Sequence, residues 1–106
     1  MPSKLPEIGK FYDCYDDGKI HDSRKYLVRI TNIIPFSEIS SEILKKWEEY
    51  KEGYDWLFAK ETDYFIIANS YERGEFCLSE SIFVRTNDGE WFSMGDLWNS
   101  GLLIVE

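Results

Sequence analysis

The clearest fold signal in the sequence is the stretch Ser81-Ile82-Phe83-Val84-Arg85-Thr86-Asn87-Asp88-Gly89-Glu90-Trp91-Phe92-Ser93-Met94. Its two halves are rich in β-branched and aromatic residues, which favour strands. Between them, residues 87–90 contain an Asp-Gly pair, and glycine readily adopts the positive φ angle of a tight hairpin turn. The stretch therefore predicts two antiparallel strands, 81–86 and 91–94, joined by a turn.

Five other segments carry β-strand signals. Residues 11–15 and 26–34 are separated by an Asp-Gly turn signal at 16–18 and an irregular loop at 19–25, and we expect these strands to pair antiparallel. Residues 56–59 and 64–68 flank 60–63, which is interpreted as a hairpin connection, and residues 70–74 are turn-like. A last short strand is predicted at 102–105, after Gly101.

One amphipathic helix is predicted from about residue 38 to residue 52. Its apolar side chains recur at helical spacing and form a single stripe: Ile39, Ile43, Leu44, Trp47 and Tyr50. Ser37 or Ser40 is the expected N-cap, and Gly53 supplies the stop signal.

The order of these elements predicts the fold class. Two strands, one helix and four or five further strands suit an α+β domain. We expect a strongly curved antiparallel sheet or a small open β-barrel, SH3-like or similar, with the helix inserted after the first two strands and covering one opening. The chain has 106 residues and neither repeat nor linker, so residues 1–106 are interpreted as a single domain.

The charge is negative and uneven. The formal net charge is −8. Residues 1–35 contribute +1 and residues 36–106 contribute −9. Nucleic acid and anionic membranes are disfavoured as direct partners, because binding to phosphates requires clustered cations. With no signal-peptide pattern at the N-terminus, we expect a cytoplasmic protein whose Cys14 and Cys77 are reduced and buried.

No set of residues in the sequence predicts catalysis. His21 has Asp22 and Ser23 beside it, but immediate neighbours rarely assemble a triad, and an exposed loop histidine is the preferred interpretation. The acids at 13–17 lack the alternation of a calcium loop, and two cysteines with one histidine are too few for a closed zinc site. We therefore expect no catalytic residues, no metal and no cofactor.

The acidic residues are interleaved with aromatic rings, which favours protein binding. Rings supply buried anchors and carboxylates steer a basic partner. The candidate contact residues are Asp55, Trp56, Glu61, Asp63, Tyr71, Glu72, Glu75, Asp88, Glu90, Trp91, Asp96 and Trp98. The competing interpretation is that most of these rings are core residues and that the acids only maintain solubility.

Residues 9–19 and 83–94 resemble small uncharacterised proteins of bacterial mobile elements and phages. The resemblance covers most of the chain and implies a bacterial or phage origin with an accessory or anti-defence role. Several anti-CRISPR and immunity proteins are also small, acidic and non-enzymatic. No motif of theirs is matched, so no functional residue is carried over.

Together these features predict a non-enzymatic acidic protein that occupies a basic surface of a protein partner. The groove of a nucleic-acid enzyme is one such surface, which the carboxylates would occupy by mimicking phosphates. Two alternatives stay open: an accessory domain of a mobile element with no inhibitory role, and a small enzyme whose site converges only in three dimensions. The chain is expected to be a monomer, or a homodimer formed through an exposed strand edge.

Overall fold

A computed structural model describes residues 4–16, 25–58, 61–72, 75–94 and 101–105, with the backbone alone at residues 16, 25, 72 and 75–79. Six strands and three short helical segments follow one another along the chain. They are β1 (Phe11–Asp16), β2 (Lys25–Pro35), a 3-10 turn (Phe36–Glu38), α1 (Ser41–Gly53), α2 (Asp55–Phe58), β3 (Tyr64–Glu72), β4 (Glu75–Arg85), β5 (Trp91–Met94) and β6 (Gly101–Leu103).

The six strands form a closed antiparallel barrel in sequence order. Closure depends on β6, which pairs with β5 at Trp91↔Leu103 and with β1 at Cys14↔Leu103. The predicted small α+β barrel is confirmed, but the barrel is closed where the sequence suggested an open one. Three residues of β6 are enough to join the first and the fifth strand, and a strand this short gives a weak signal in sequence.

The hairpin predicted for residues 81–94 forms. β4 and β5 pair from Ile82↔Met94 to Arg85↔Trp91. Gly89 adopts φ 82°, and its N–H donates to the Thr86 carbonyl at 3.0 Å. The predicted antiparallel pair of β1 and β2 also forms, with Phe11 opposite Arg29.

One strand prediction and one turn prediction are wrong. Residues 56–59 were expected to be a strand, but residues 55–58 form α2, in which Phe58 packs edge-on against Trp47 at 5.7 Å. Packing of Phe58 under α1 outweighs the β propensity of this aromatic run. Residues 70–74 were expected to turn, but β3 continues to Glu72 because Ser70 and Tyr71 pair with β2.

The helix begins later than the apolar stripe suggests. Residues 36–38 form a 3-10 turn, and α1 begins at Ser41. Of the two predicted caps, Ser40 is the one used: its Oγ accepts the Ile43 N–H at 3.3 Å. The helix ends at Gly53, where the sequence placed the stop signal.

The apolar residues divide into two clusters, because strand side chains alternate between the two faces of a sheet. The barrel interior is filled from all six strands by Cys14, Val28, Ile30, Ile66, Ala68, Phe83, Trp91 and Leu103. Phe65 and Val84 alternate with Ile66 and Phe83, and they pack with Trp47 and Phe58 in the second cluster. The helical segment therefore packs against the outer wall of β3 and β4 rather than over an opening. In the described part of the chain, no helix has the length and apolar character to cross a membrane.

Candidate functional site

The predicted contact residues are divided between the two ends of the barrel. Antiparallel strands alternate in direction, so consecutive connections lie at alternate ends. Residues 4–10, the helical segment 36–63 and the turn 86–90 lie at one end, here called the Arg85 end. The strand ends that lead into residues 17–24, 73–74 and 95–100 lie at the other. Along β3, Tyr71 lies eight residues from Asp63, a separation of about 25 Å.

Arg85 is the organising cation of its end of the barrel. Its Nε donates to Asp63 Oδ1 at 3.1 Å, and its Nη1 donates to the Gly89 carbonyl at 2.6 Å. The guanidinium also stacks on the Trp91 ring, 3.8 Å from the ring centroid. A planar guanidinium suits both kinds of contact. These contacts hold Asp63, which directly precedes β3, and the β4–β5 turn in fixed positions relative to each other.

Two buried threonine hydroxyls complete this connection. Thr62 Oγ1 donates to the Tyr64 carbonyl at 2.7 Å and accepts the Arg85 N–H at 3.0 Å. Thr86 Oγ1 accepts the Glu90 N–H at 3.1 Å. Each hydroxyl accepts a hydrogen bond from a backbone N–H where the β4–β5 pairing ends. The site therefore rests on a fixed backbone.

An open cleft of about 450 Å³ lies over this scaffold. It is lined by Glu61, Asp63, Arg85 and residues 86–89, among them Asp88. Glu61 forms an ion pair with Lys51 of α1, and Asp63 forms one with Arg85. The cleft thus presents three carboxylates around one cation.

Trp56, in the short helix α2, is 72% exposed. Asn87 of the β4–β5 turn holds the short helix α2 in place. Its Nδ2 donates to the Trp56 carbonyl at 3.0 Å, and its N–H donates to the Leu57 carbonyl at 2.9 Å. On the helical side the Trp56 ring meets Tyr54 edge-on at 6.4 Å. The backbone of Trp56 is therefore fixed to a residue that lines the acidic cleft.

Six of the predicted contact residues line the cleft or belong to α2 and the β4–β5 turn, which Asn87 joins, and they are here called the Trp56 surface. Its members are Asp55, Trp56, Glu61, Asp63, Asp88 and Glu90. Tyr71 lies on the wall of β3 instead, where its ring meets Phe11 at 5.8 Å. Glu72 and Glu75 are described by their backbone alone, and Asp96 and Trp98 lie outside the described residues.

Trp91 was predicted to be a contact residue, which requires an exposed ring, but this prediction is wrong. Its side chain is fully buried in the barrel, and its Nε1 donates to the Lys4 carbonyl at 3.0 Å. Alternation along β5 points it inward, as the burial of Ser93 two residues later also shows. Trp91 stabilises the site from below by stacking under Arg85 and is not a contact residue.

Arg85 and Asn87 were not predicted as contact residues, because only acids and rings were selected. Arg85 lies just before the predicted turn and Asn87 begins it, and an asparagine at a turn readily bonds nearby backbone groups. That tendency was the available signal. It did not reveal that the bonded groups belong to α2, about thirty residues earlier in the chain.

The remaining chemical candidates are the metal-ligating residue types, the two cysteines and the histidine. Among the described residues, no three His, Cys, Asp or Glu side chains are grouped so as to hold a metal ion. Cys14 is buried as predicted, and its Sγ donates to the Tyr26 hydroxyl oxygen at 3.3 Å. His21 and the side chain of Cys77 lie outside the described set.

Comparisons with known proteins add no further assignment. Models of protein families, curated protein sequences and solved structures were each compared with the chain, and none matched. The functional interpretation therefore rests on the Trp56 surface itself.

Proposed function

We propose that the chain is a non-enzymatic binding protein whose Trp56 surface docks on a basic surface of a protein partner. The observation that carries this proposal is the 72% exposure of Trp56, whose backbone carbonyl is bonded by Asn87 in the lining of the acidic cleft. Large aromatic anchors flanked by charged groups are typical of binding hot spots.

The exposed ring offers a substantial binding energy. A tryptophan side chain buries up to about 250 Å² in a contact. Covering the 72% that Trp56 exposes removes roughly 180 Å² from water, and at about 25 cal/mol per Å² this contributes about 4 kcal/mol before the costs of association. A single anchor of this size accounts for a large part of a moderate affinity.

The charges around the ring select a basic partner. The Trp56 surface carries five carboxylates, and among the described residues two cations, Lys51 and Arg85, form ion pairs with them, so acids are in excess. Such a field speeds encounter with a cationic surface and weakens as salt increases. Nucleic acid itself is repelled by it.

A nucleic-acid enzyme is the partner class that suits this surface best. Its groove is lined with cations placed to meet phosphates, and carboxylates on a rigid turn and helix present comparable negative charge. Occupation of that groove would inhibit the enzyme, in keeping with an anti-defence role. The alternative proposal is an accessory role in which the Trp56 surface binds a basic protein without inhibiting it.

The experiment compares capture by immobilised wild-type protein with capture by the variants Trp56→Ala and Asp88→Asn, using bacterial lysate at low salt. Phe11→Ala is the matched control, because Phe11 is an exposed ring away from the Trp56 surface. We expect a protein held by the wild type and by Phe11→Ala, lost from Trp56→Ala, and released as salt increases.

Addition of duplex DNA to the captured complex separates the two roles. Release by DNA shows that the partner's nucleic-acid groove is the occupied surface. Retention in the presence of DNA supports the accessory role. Equal capture by the wild type and by Trp56→Ala, or no capture at low salt, would overturn both.

A further inference from the structure

Residues 4–8, here called the strap, lie across the Arg85 end of the barrel. The indole Nε1 of Trp91 in β5 donates to the Lys4 carbonyl at 3.0 Å. Directly after the strap, the Gly9 N–H donates to the Ile30 carbonyl of β2 at 2.7 Å. In the closed order of six strands, β2 and β5 lie on opposite sides of the barrel. The strap therefore runs between opposite walls.

The barrel holds the strap by its backbone and by one proline. In addition to the bond from Trp91 to the Lys4 carbonyl, the Tyr12 hydroxyl oxygen accepts the Glu7 N–H at 2.8 Å. Pro6 is buried, although the residues on both sides of it are exposed. The strap itself lies outside the strands and helices. Two aromatic side chains thus bond the backbone on either side of a buried proline.

These are the contacts by which proteins bind extended, proline-containing peptides. Proline holds its own φ at about −65° and confines the preceding residue to extended backbone, so such a segment is already ordered before it binds. Grooves lined with aromatic residues receive these peptides. Leu5 remains 40% exposed, so its side chain adds little to the contact. The barrel therefore selects a backbone shape and a proline, and other sequences that supply both would fit.

We propose that the strap occupies a peptide-binding site as a built-in ligand, and that an extended, proline-containing peptide of a partner protein replaces it. Trp91 Nε1 and the Tyr12 hydroxyl are the groups that bind the backbone of either segment. Because the strap is tethered beside the site, its effective concentration there is about 1 mM. The strap is accordingly an autoinhibitory contact, which a partner peptide must outcompete.

The proposal does not rest on the binding of a basic partner by the Trp56 surface. The strap bonds the indole N–H of Trp91, whereas Arg85 stacks on the Trp91 ring at 3.8 Å from its centroid. The two surfaces are thus connected through one ring but use different groups.

The test detaches the strap within the full chain. Pro6→Asp places a carboxylate at a buried position, and because an unpaired buried charge is strongly disfavoured, the strap is expected to leave its site. Pro6→Gly removes the ring without adding a charge and serves as the second variant if the first fails to fold. Solvent exchange of the Trp91 indole N–H, measured by NMR, reports whether the strap is bound. We expect this exchange to be at least about tenfold faster in both variants than in the wild type.

A free peptide with the sequence of residues 2–8 and blocked ends is then titrated into Pro6→Asp. A strap that is closed at least about ten times as often as it is open, at an effective concentration of about 1 mM, corresponds to a peptide Kd of about 0.1 mM or tighter. Binding is expected to restore slow indole exchange. The wild type should bind the peptide at least about tenfold more weakly, because its own strap competes. A peptide with alanine in place of Pro6 should also bind at least about threefold more weakly, because it is less ordered when free.

Trp56→Ala in the Pro6→Asp background is the matched control. It should bind the peptide as tightly as Pro6→Asp alone, so failure of the Trp56 surface to capture a partner leaves this result unchanged. An indole N–H that stays protected in both Pro6 variants overturns the proposal, as does a peptide that restores no protection at about 1 mM. Equal affinity for the proline and alanine peptides overturns the assigned ligand class. Loss of folding in both variants also counts against it, because the strap would then be an integral part of the fold and not an exchangeable ligand.

Discussion

Replacement of Gly101 by alanine tests how the barrel closes. Gly101 begins β6 and lies opposite Asp16 of β1. Its N–H donates to Ser93 Oγ at 2.6 Å, so β6 is held close to the barrel wall. A Cβ built on Gly101 would lie 2.6 Å from Cys14 Sγ and 2.8 Å from the Tyr26 hydroxyl oxygen.

The size of the effect follows from these two distances. Carbon atoms in favourable contact lie about 3.5–4.0 Å apart, so the new methyl group must displace its neighbours by about 1 Å. Cys14 is fully buried among the side chains that fill the barrel. Overpacking of this kind costs about 1–3 kcal/mol. For a domain of this length each kcal/mol lowers Tm by roughly 4 °C, so we expect a decrease of about 4–12 °C.

A double-mutant cycle identifies the contact responsible. Cys14→Ala removes Sγ and its hydrogen bond to Tyr26, which opens space for the methyl group. In that background Gly101→Ala should cost at least about 1 kcal/mol less than in the wild type. Urea unfolding monitored by tryptophan fluorescence measures all four variants, because Trp47 and Trp91 are buried. Full stability of Gly101→Ala, or costs that add within about 0.3 kcal/mol, would refute the close approach.

Substitutions at three further positions test the helix cap, the site scaffold and the anchor. Ser40→Ala removes the acceptor of the Ile43 N–H and should cost about 1 kcal/mol in urea unfolding, whereas Ser40→Asp should keep the cap and the stability. Thr62→Val leaves the Arg85 N–H without its acceptor and should cost about 2 kcal/mol. Thr62→Ser should recover most of that loss, and equal instability of the two Thr62 variants would show that the methyl group, not the hydroxyl, matters. Trp56→Ala should change the free energy of unfolding by less than about 0.5 kcal/mol, because the ring is 72% exposed. A larger loss would make Trp56 a structural residue instead of a contact residue.

The local features of the fold were readable from the sequence. Gly89 adopts the positive φ angle that its Asp-Gly context predicts, because the conformational freedom of glycine is a property of the residue itself. The cap at Ser40 and the stop at Gly53 follow the same logic, since each depends on atoms within a few residues. The register of the hairpin follows from its turn.

Long-range pairing was decided by the tertiary structure. The 3-residue strand β6 carries little signal of its own, yet its pairing with both β1 and β5 turns a sheet into a closed barrel. Residues 55–58 have the composition of a strand but form a helical turn, because this conformation packs Phe58 against Trp47. Neither outcome is contained in a local window of sequence.

In the candidate site, Trp56 and Trp91 show the same difference between what the sequence determines and what the tertiary structure determines. The sequence by itself determined that both are large rings beside acids, and it determined the net charge of −8 that favours a basic partner. Only the tertiary structure placed Trp91 inside the barrel beneath Arg85 and left Trp56 exposed on α2. The physical reason is that the burial of a ring depends on which face of which element it occupies and on what packs there, and both are set by contacts between residues far apart in the chain.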